Sequence, residues 1–210
     1  MTPVRAAPVD SASSGDAGSK AADAEPADRR PATLADATTA DGEAVLGHLA
    51  EAGVVEADDG ARVADDFDDR WRTEIERLRG QSPAALATAT LAMAPTAAAA
   101  EATTESDRAF VVLSDGSGEP AGEVWVRRPV AVAETAAALA LADATDLDAG
   151  ARAVAAHGLS VFLDDCPVCE TALDETKAGG CCGPPRTDAE GHPLRALVCP
   201  DCRTQFVAFE

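Results

Sequence analysis

Two short cysteine hooks, Cys166-Pro167-Val168-Cys169 and Cys199-Pro200-Asp201-Cys202, constrain this chain more than any other stretch of it. A CxxC turn aims two thiolates out of one tight loop, and two such turns face to face supply the tetrahedral four-sulfur cage of a structural zinc. Cys166, Cys169, Cys199 and Cys202 are therefore the expected metal ligands, for one structural zinc per chain. A closed four-thiolate site leaves no open position at which the metal could activate water, so the pattern points away from metal-assisted catalysis. The 29 residues from Glu170 to Val198 make a long insert between the hooks. Such an insert is tolerable because the cost of loop closure rises only with the logarithm of length.

Both hooks begin Cys-Pro, and the second runs into Arg203-Thr204-Gln205-Phe206-Val207-Ala208-Phe209, whose alternation suits a terminal strand of a small sheet. In these residues the tail resembles the zinc ribbons of archaeal proteins. Rubredoxin shares the four-thiolate plan with iron, but Glu170 and Arg203 stand where that family has glycine after each hook, and its aromatic core is missing. The resemblance therefore implies zinc. Cys181 and Cys182 lie in the insert, within Gly179-Gly180-Cys181-Cys182-Gly183. Adjacent cysteines point in different directions and suit one small cage poorly, so they read as loop thiols. A redox or soft-metal pair is the alternative.

Charge is the second constraint. Against 37 acidic residues stand 17 basic ones, a formal net charge of -20, and of the basic residues only Lys20 and Lys177 are lysines. An acidic surface that favours Arg over Lys resembles proteins of halophilic archaea, where a Debye length of about 3 Å in molar salt screens self-repulsion. Together with the hooks, this implies a zinc-ribbon protein of that kind. No run of about 18 apolar residues is present, and the N-terminus lacks the apolar core of a signal peptide. A cytoplasmic protein without a membrane role is expected.

Taken in order, the chain divides into five parts within an α+β fold class. Residues 1–40 carry few large apolar side chains and read as a disordered acidic tail. Residues 41–94 read as a helix-hairpin-helix unit. Asp41 caps a helix bearing Val45, Leu49 and Ala52, Gly53 ends it, Asp58-Asp59-Gly60 turns a hairpin, and Phe67, Trp71, Ile75 and Leu78 stripe the next helix. Ser82-Pro83 then caps a small helix. The segment Glu43 to Arg79 resembles, in part, the later half of a winged-helix domain. Residues 95–106 read as a linker. Residues 107–164 read as a hairpin, from Phe110-Val111-Val112-Leu113 to Glu123-Val124-Trp125-Val126-Arg127, followed by helices, the second opened by a capping box at Thr145-Asp146-Leu147-Asp148. Residues 165–210 form the zinc ribbon.

No nucleophile-base arrangement or phosphate-cradling glycine loop can be assembled from the sequence. His48, His157 and His192 are isolated, and His157 reads as a helix-end residue. Arg127-Arg128 reads as a solvated strand end. The function expected is a non-enzymatic binding protein built around the zinc ribbon. A transcriptional regulator, which the partial winged helix supports, and a protein-protein adaptor with no nucleic-acid role remain as the two versions. A thiol redox protein using Cys181 and Cys182 is the third.

Overall fold

The computed structural model describes residues 32–38, 42–56, 60–178 and 187–209, which form a mixed α+β structure of five helices and three small antiparallel sheets. Helix α1 (Gly42–Glu51) buries Val45 and Leu49 and stops where the sequence supplies glycine. Gly53 takes φ +66°, its N–H bonds to Ala50 O, and the N–H of Val54 bonds to Leu49 O. That pair of bonds satisfies two carbonyls left open at the helix end, and the left-handed position costs glycine least. Strands β1 (Val55–Glu56) and β2 (Arg62–Val63) pair next, with Val55 opposite Val63.

Helix α2 (Asp65–Arg79) follows. Its apolar stripe places Phe67, Trp71 and Leu78 in the core, and the indole N–H of Trp71 donates to the carbonyl of Ala133 at 3.0 Å. Helix α3 (Pro83–Ala92) starts at Ser82, whose hydroxyl accepts the Ala85 N–H, with proline in the first turn.

Strands β3 (Ala99–Glu105), β4 (Arg108–Ser114) and β5 (Glu123–Arg127) form a meander in that order. One face turns Val111, Leu113 and Val126 into the core, and the other carries the edge-to-face pair Phe110 and Trp125. Helix α4 (Arg128–Ala144) runs through the middle of the molecule with 12 of its 17 residues buried, half of them alanines. Helices α2 and α5 (Ala149–Leu159) pack on it, and α1 packs on α5. A helix apolar on every side must be covered on every side, which places α4 at the centre.

Several expectations are corrected. The tail expected to continue to residue 40 gives way earlier to folded chain. Ala32 bridges to Val126, and Leu34 is fully buried in a short 3-10 turn, Leu34–Ala37. Residues 1–31, the Asp41 cap, and Asp58 and Asp59 of the hairpin tip lie outside the described residues. The stretch expected as a linker holds β3, because pairing with β4 along all seven residues overrides the weak strand preference of Ala and Glu. The cap of α5 is Asp148, whose carboxylate accepts the Ala151 N–H; Thr145 instead ends α4 and bonds back to Leu141 O. On the exposed face of α2, Arg70 donates to the backbone carbonyl of Asp66 and Arg72 pairs with Asp68 at 2.6 Å.

One charged side chain sits inside this core. Glu134 of α4 is fully buried; Oε2 accepts the Leu34 N–H at 2.5 Å and Oε1 lies 2.9 Å from Nδ1 of His157. His157 lies in the last turn of α5, as expected of a helix-end residue, and is also held against this carboxylate. Burial pushes the Glu134 carboxyl above the usual carboxylate range, while His157 and the Leu34 N–H draw it back. A carboxyl raised in the folded state contributes fully below its unfolded value near 4.5, and that contribution is lost as pH rises through the folded value. E134Q keeps the shape, an acceptor for Leu34 and a hydrogen-bonding group for His157. Thermal denaturation across pH should show E134Q gaining on the wild type as pH rises. E134A, which leaves a void and orphans the Leu34 N–H, should lose about 3 kcal/mol or more at all pH values.

Candidate metal centre

The chain leaves α5 through a 3-10 turn, Ser160–Phe162, and enters the first cysteine hook. Beyond it, strands β6 (Asp174–Lys177), β7 (Arg195–Val198) and β8 (Gln205–Phe209) form a three-stranded antiparallel sheet in that order. The long insert between the hooks is the β6–β7 arm. Its middle, including Cys181 and Cys182, lies outside the described residues.

The two hooks are built alike. Each is the tip of a narrow antiparallel turn, closed by the pair Asp165 and Ala172 for the first and Val198 and Gln205 for the second. The N–H of Cys166 bonds to Thr171 O and that of Cys199 to Thr204 O, both at 2.9 Å. The N–H of Glu170 returns to Cys166 O and that of Arg203 to Cys199 O, again at 2.9 Å. These bonds force the residue after each hook into the left-handed region, φ +56° at Glu170 and +54° at Arg203. The positions are those at which rubredoxin carries glycine, so their side chains do not alter the backbone plan. Prolines at the second hook positions fix φ where the turn needs it.

This geometry brings Cys166, Cys169, Cys199 and Cys202 together, with all four sulfurs within 4.8 Å of one another. Cys166 Sγ and Cys202 Sγ are 3.9 Å apart. A tetrahedral ion with metal–sulfur bonds of about 2.3 Å has an edge of about 3.8 Å, so the sulfurs stand at ligating spacing. Cys166 and Cys199 are buried and the other two are partly exposed. Burial pushes the Cys166 thiol strongly upward, and burial together with Cys202 pushes Cys169 up to about 11. At Cys202 burial acts in the same direction but is outweighed by hydrogen bonding with Thr204, Cys199 and Cys169, which lowers that thiol. Forming the thiolates of Cys166 and Cys169 is therefore opposed chiefly by burial, and a divalent cation is what would reverse that opposition.

The cage is tied to the body by charged side chains, of which the sequence singled out Arg127 and Arg128 but not Arg79. Arg79, at the end of α2, pairs with Glu170 beside the first hook at 2.7 Å. Arg127, at the end of β5, donates to the carbonyl of Cys202 in the second hook at 3.0 Å, and Arg128 donates to the carbonyl of Arg79. Arg127 and Arg128 are therefore fastened in place and are not the solvated pair expected. Thr171 and Asp201 hydrogen bond between the hooks. The remaining histidines stand apart from the cage. His48 meets Asp146 at 2.7 Å, and His192 closes a turn with Asp188.

The sequence pattern of the central domain of a family of unknown function, DUF8054, matches residues 41–159, more than half of the chain. The match ends with α5, and the four cysteines follow it. No curated protein and no solved structure matches the chain. Among the described residues no helix is long and apolar enough to cross a membrane.

The left-handed residue after the second hook gives a direct check of this geometry. A non-glycine residue held at positive φ costs about 1 kcal/mol, which glycine relieves in part. R203G should leave stability unchanged or raise it by up to about 1 kcal/mol in thermal denaturation, whereas R203V, β-branched at the same φ, should lower it.

Proposed function

The chain belongs to the DUF8054 family, whose function is unknown, and we propose that it is a non-enzymatic binding protein whose C-terminal hooks form a zinc ribbon. The observation that carries this reading is the equivalence of the two hooks. They have the same backbone bonds and the same left-handed exit, and their four sulfurs meet at the spacing of a tetrahedral ion. Cys166, Cys169, Cys199 and Cys202 would hold one zinc ion, which supplies no open coordination position and so acts by fixing structure. Iron suits a four-thiolate cage as well, and the left-handed exits remove one of the two grounds for setting it aside. The other ground, the lack of an aromatic core around the cage, still favours zinc.

As to partner, a protein adaptor is favoured over a nucleic-acid regulator. Phosphate neutralisation needs arginines free to reach the backbone. Here Arg62, Arg72, Arg77, Arg79 and Arg195 each pair with a carboxylate of this chain. Helix α1, the segment that would read DNA in the winged-helix version, contains no Arg or Lys.

Elemental analysis of the full chain made in medium supplied with both zinc and iron should show one zinc per chain. Chelation should unfold the β6–β8 sheet while most helical signal in far-ultraviolet circular dichroism remains, because α4 and its neighbours carry their own core. Stoichiometric iron, or no bound metal, would overturn the zinc reading. A sequence-selective footprint on duplex DNA would restore the regulator.

A further inference from the structure

Among the described residues Arg127 and Arg152 are the two arginines whose Nε is buried without a hydrogen-bond partner, and Arg152 serves the nearby Leu147 carbonyl of its own segment. Arg127 is half-buried, and among the described residues no carboxylate lies within ion-pair distance of it. Its contacts are the Cys202 carbonyl at 3.0 Å and the ring of Phe110, 5.7 Å from the guanidinium carbon. Arg108 of the same sheet is a second cation and opposes it. A cation withdrawn from water beside a like charge is costly unless an anion answers it, and the chain's acidic residues are plentiful enough to have supplied one.

The anion within reach is the sulfur cage. Four thiolates around a divalent ion leave two net negative charges, and these sit inside a molecule that already carries a net charge of -20. Arg127 reaches this cage at the hook that holds Cys202, through its 3.0 Å bond to that residue's carbonyl. Arg79 differs from it in having its charge already answered by Glu170.

We propose that Arg127 is the counter-ion and positioning residue of the four-cysteine metal centre: its guanidinium balances the charge of the loaded cage and its hydrogen bond to Cys202 O holds the second hook in place. This inference rests on the reading of the cage as a zinc site. It makes metal affinity a property of the meander sheet as well as of the ribbon, and so couples the family's central domain to the hooks that follow it.

The test compares R127K with R127Q in the full chain. Both shorten the side chain and lose the guanidinium fork, but only lysine keeps the charge. R127M serves as a second neutral variant should R127Q fail to fold. Zinc affinity is measured by competition with a chromophoric chelator, the cobalt-substituted centre by its visible absorption, and metal-free stability by thermal denaturation. The expected result is that R127K stays within a few-fold of the wild type while the neutral variants bind about 10- to 100-fold more weakly, the range typical of outer-shell partners. Equal weakening of charged and neutral variants, or no weakening in either, would overturn the counter-ion assignment and leave the zinc reading intact. A wild-type chain that forms no four-thiolate cobalt centre would overturn both.

Discussion

Everything in the body of this molecule depends on burying α4 between Pro129 and Leu141. The chain is poor in large apolar side chains, with 3% aromatic residues and no tyrosine. An alanine face removes little apolar area per residue from water, at about 25 cal/mol for each Å² buried. It compensates by letting neighbouring helices approach closely, which requires partners on every side. The large side chains that exist are used for this: Trp71 and Phe67 from α2, Leu86 from α3, Leu159 from α5 and Val111, Leu113 and Val126 from the sheet. Leu34 closes the remaining side, and its N–H is met by Glu134 from the buried helix itself.

The ribbon solves the same shortage differently. Its sheet is three short strands, and only Phe206 among its large side chains is fully buried. Backbone bonds shape each hook, and an ion held by the four cysteines would supply the cross-link that a larger core otherwise provides. Cys166, Cys199 and Phe206 nonetheless belong to the same continuous cluster of buried residues as Leu34 and Trp71. The four-cysteine cluster is therefore not hung from the body on a linker. Its sulfurs are packed against it.

What the sequence discloses and what it hides follow from how local each cause is. Gly53, Ser82-Pro83 and the Phe67, Trp71, Leu78 stripe act within a turn or two of chain, and each was legible. The four cysteines were legible because CxxC spacing is itself a local geometry. Strand β3 was not, since Ala-Ala-Glu-Ala-Thr-Thr-Glu becomes a strand only through β4 beside it. Residues 32–38 were not, since a four-residue turn is held by a carboxylate 100 positions away. The threonine-to-aspartate pattern at Thr145 misled because α4 continues to Ala144, which makes Thr145 the end of one helix and leaves Asp148 to begin the next. Glu170 and Arg203 concealed the likeness of the two hooks to glycine-bearing ones.

Two charges, Glu134 buried and Arg127 half-buried, sit where distant parts of the chain must be brought together. Glu134 fastens residues 32–38 and α5 to α4, and Arg127 fastens the second hook to the sheet. Apolar packing tolerates sliding, because alanine meeting alanine is nearly the same one residue along. A carboxylate that must meet one N–H and one imidazole, or a guanidinium that must meet one carbonyl, has a single solution, and an error leaves a charge unpaired at a cost of about 3–5 kcal/mol. In a core with so little shape to specify its register, the buried charges supply that specification, and the two residues least expected from the composition of their elements become the ones that fix how those elements meet.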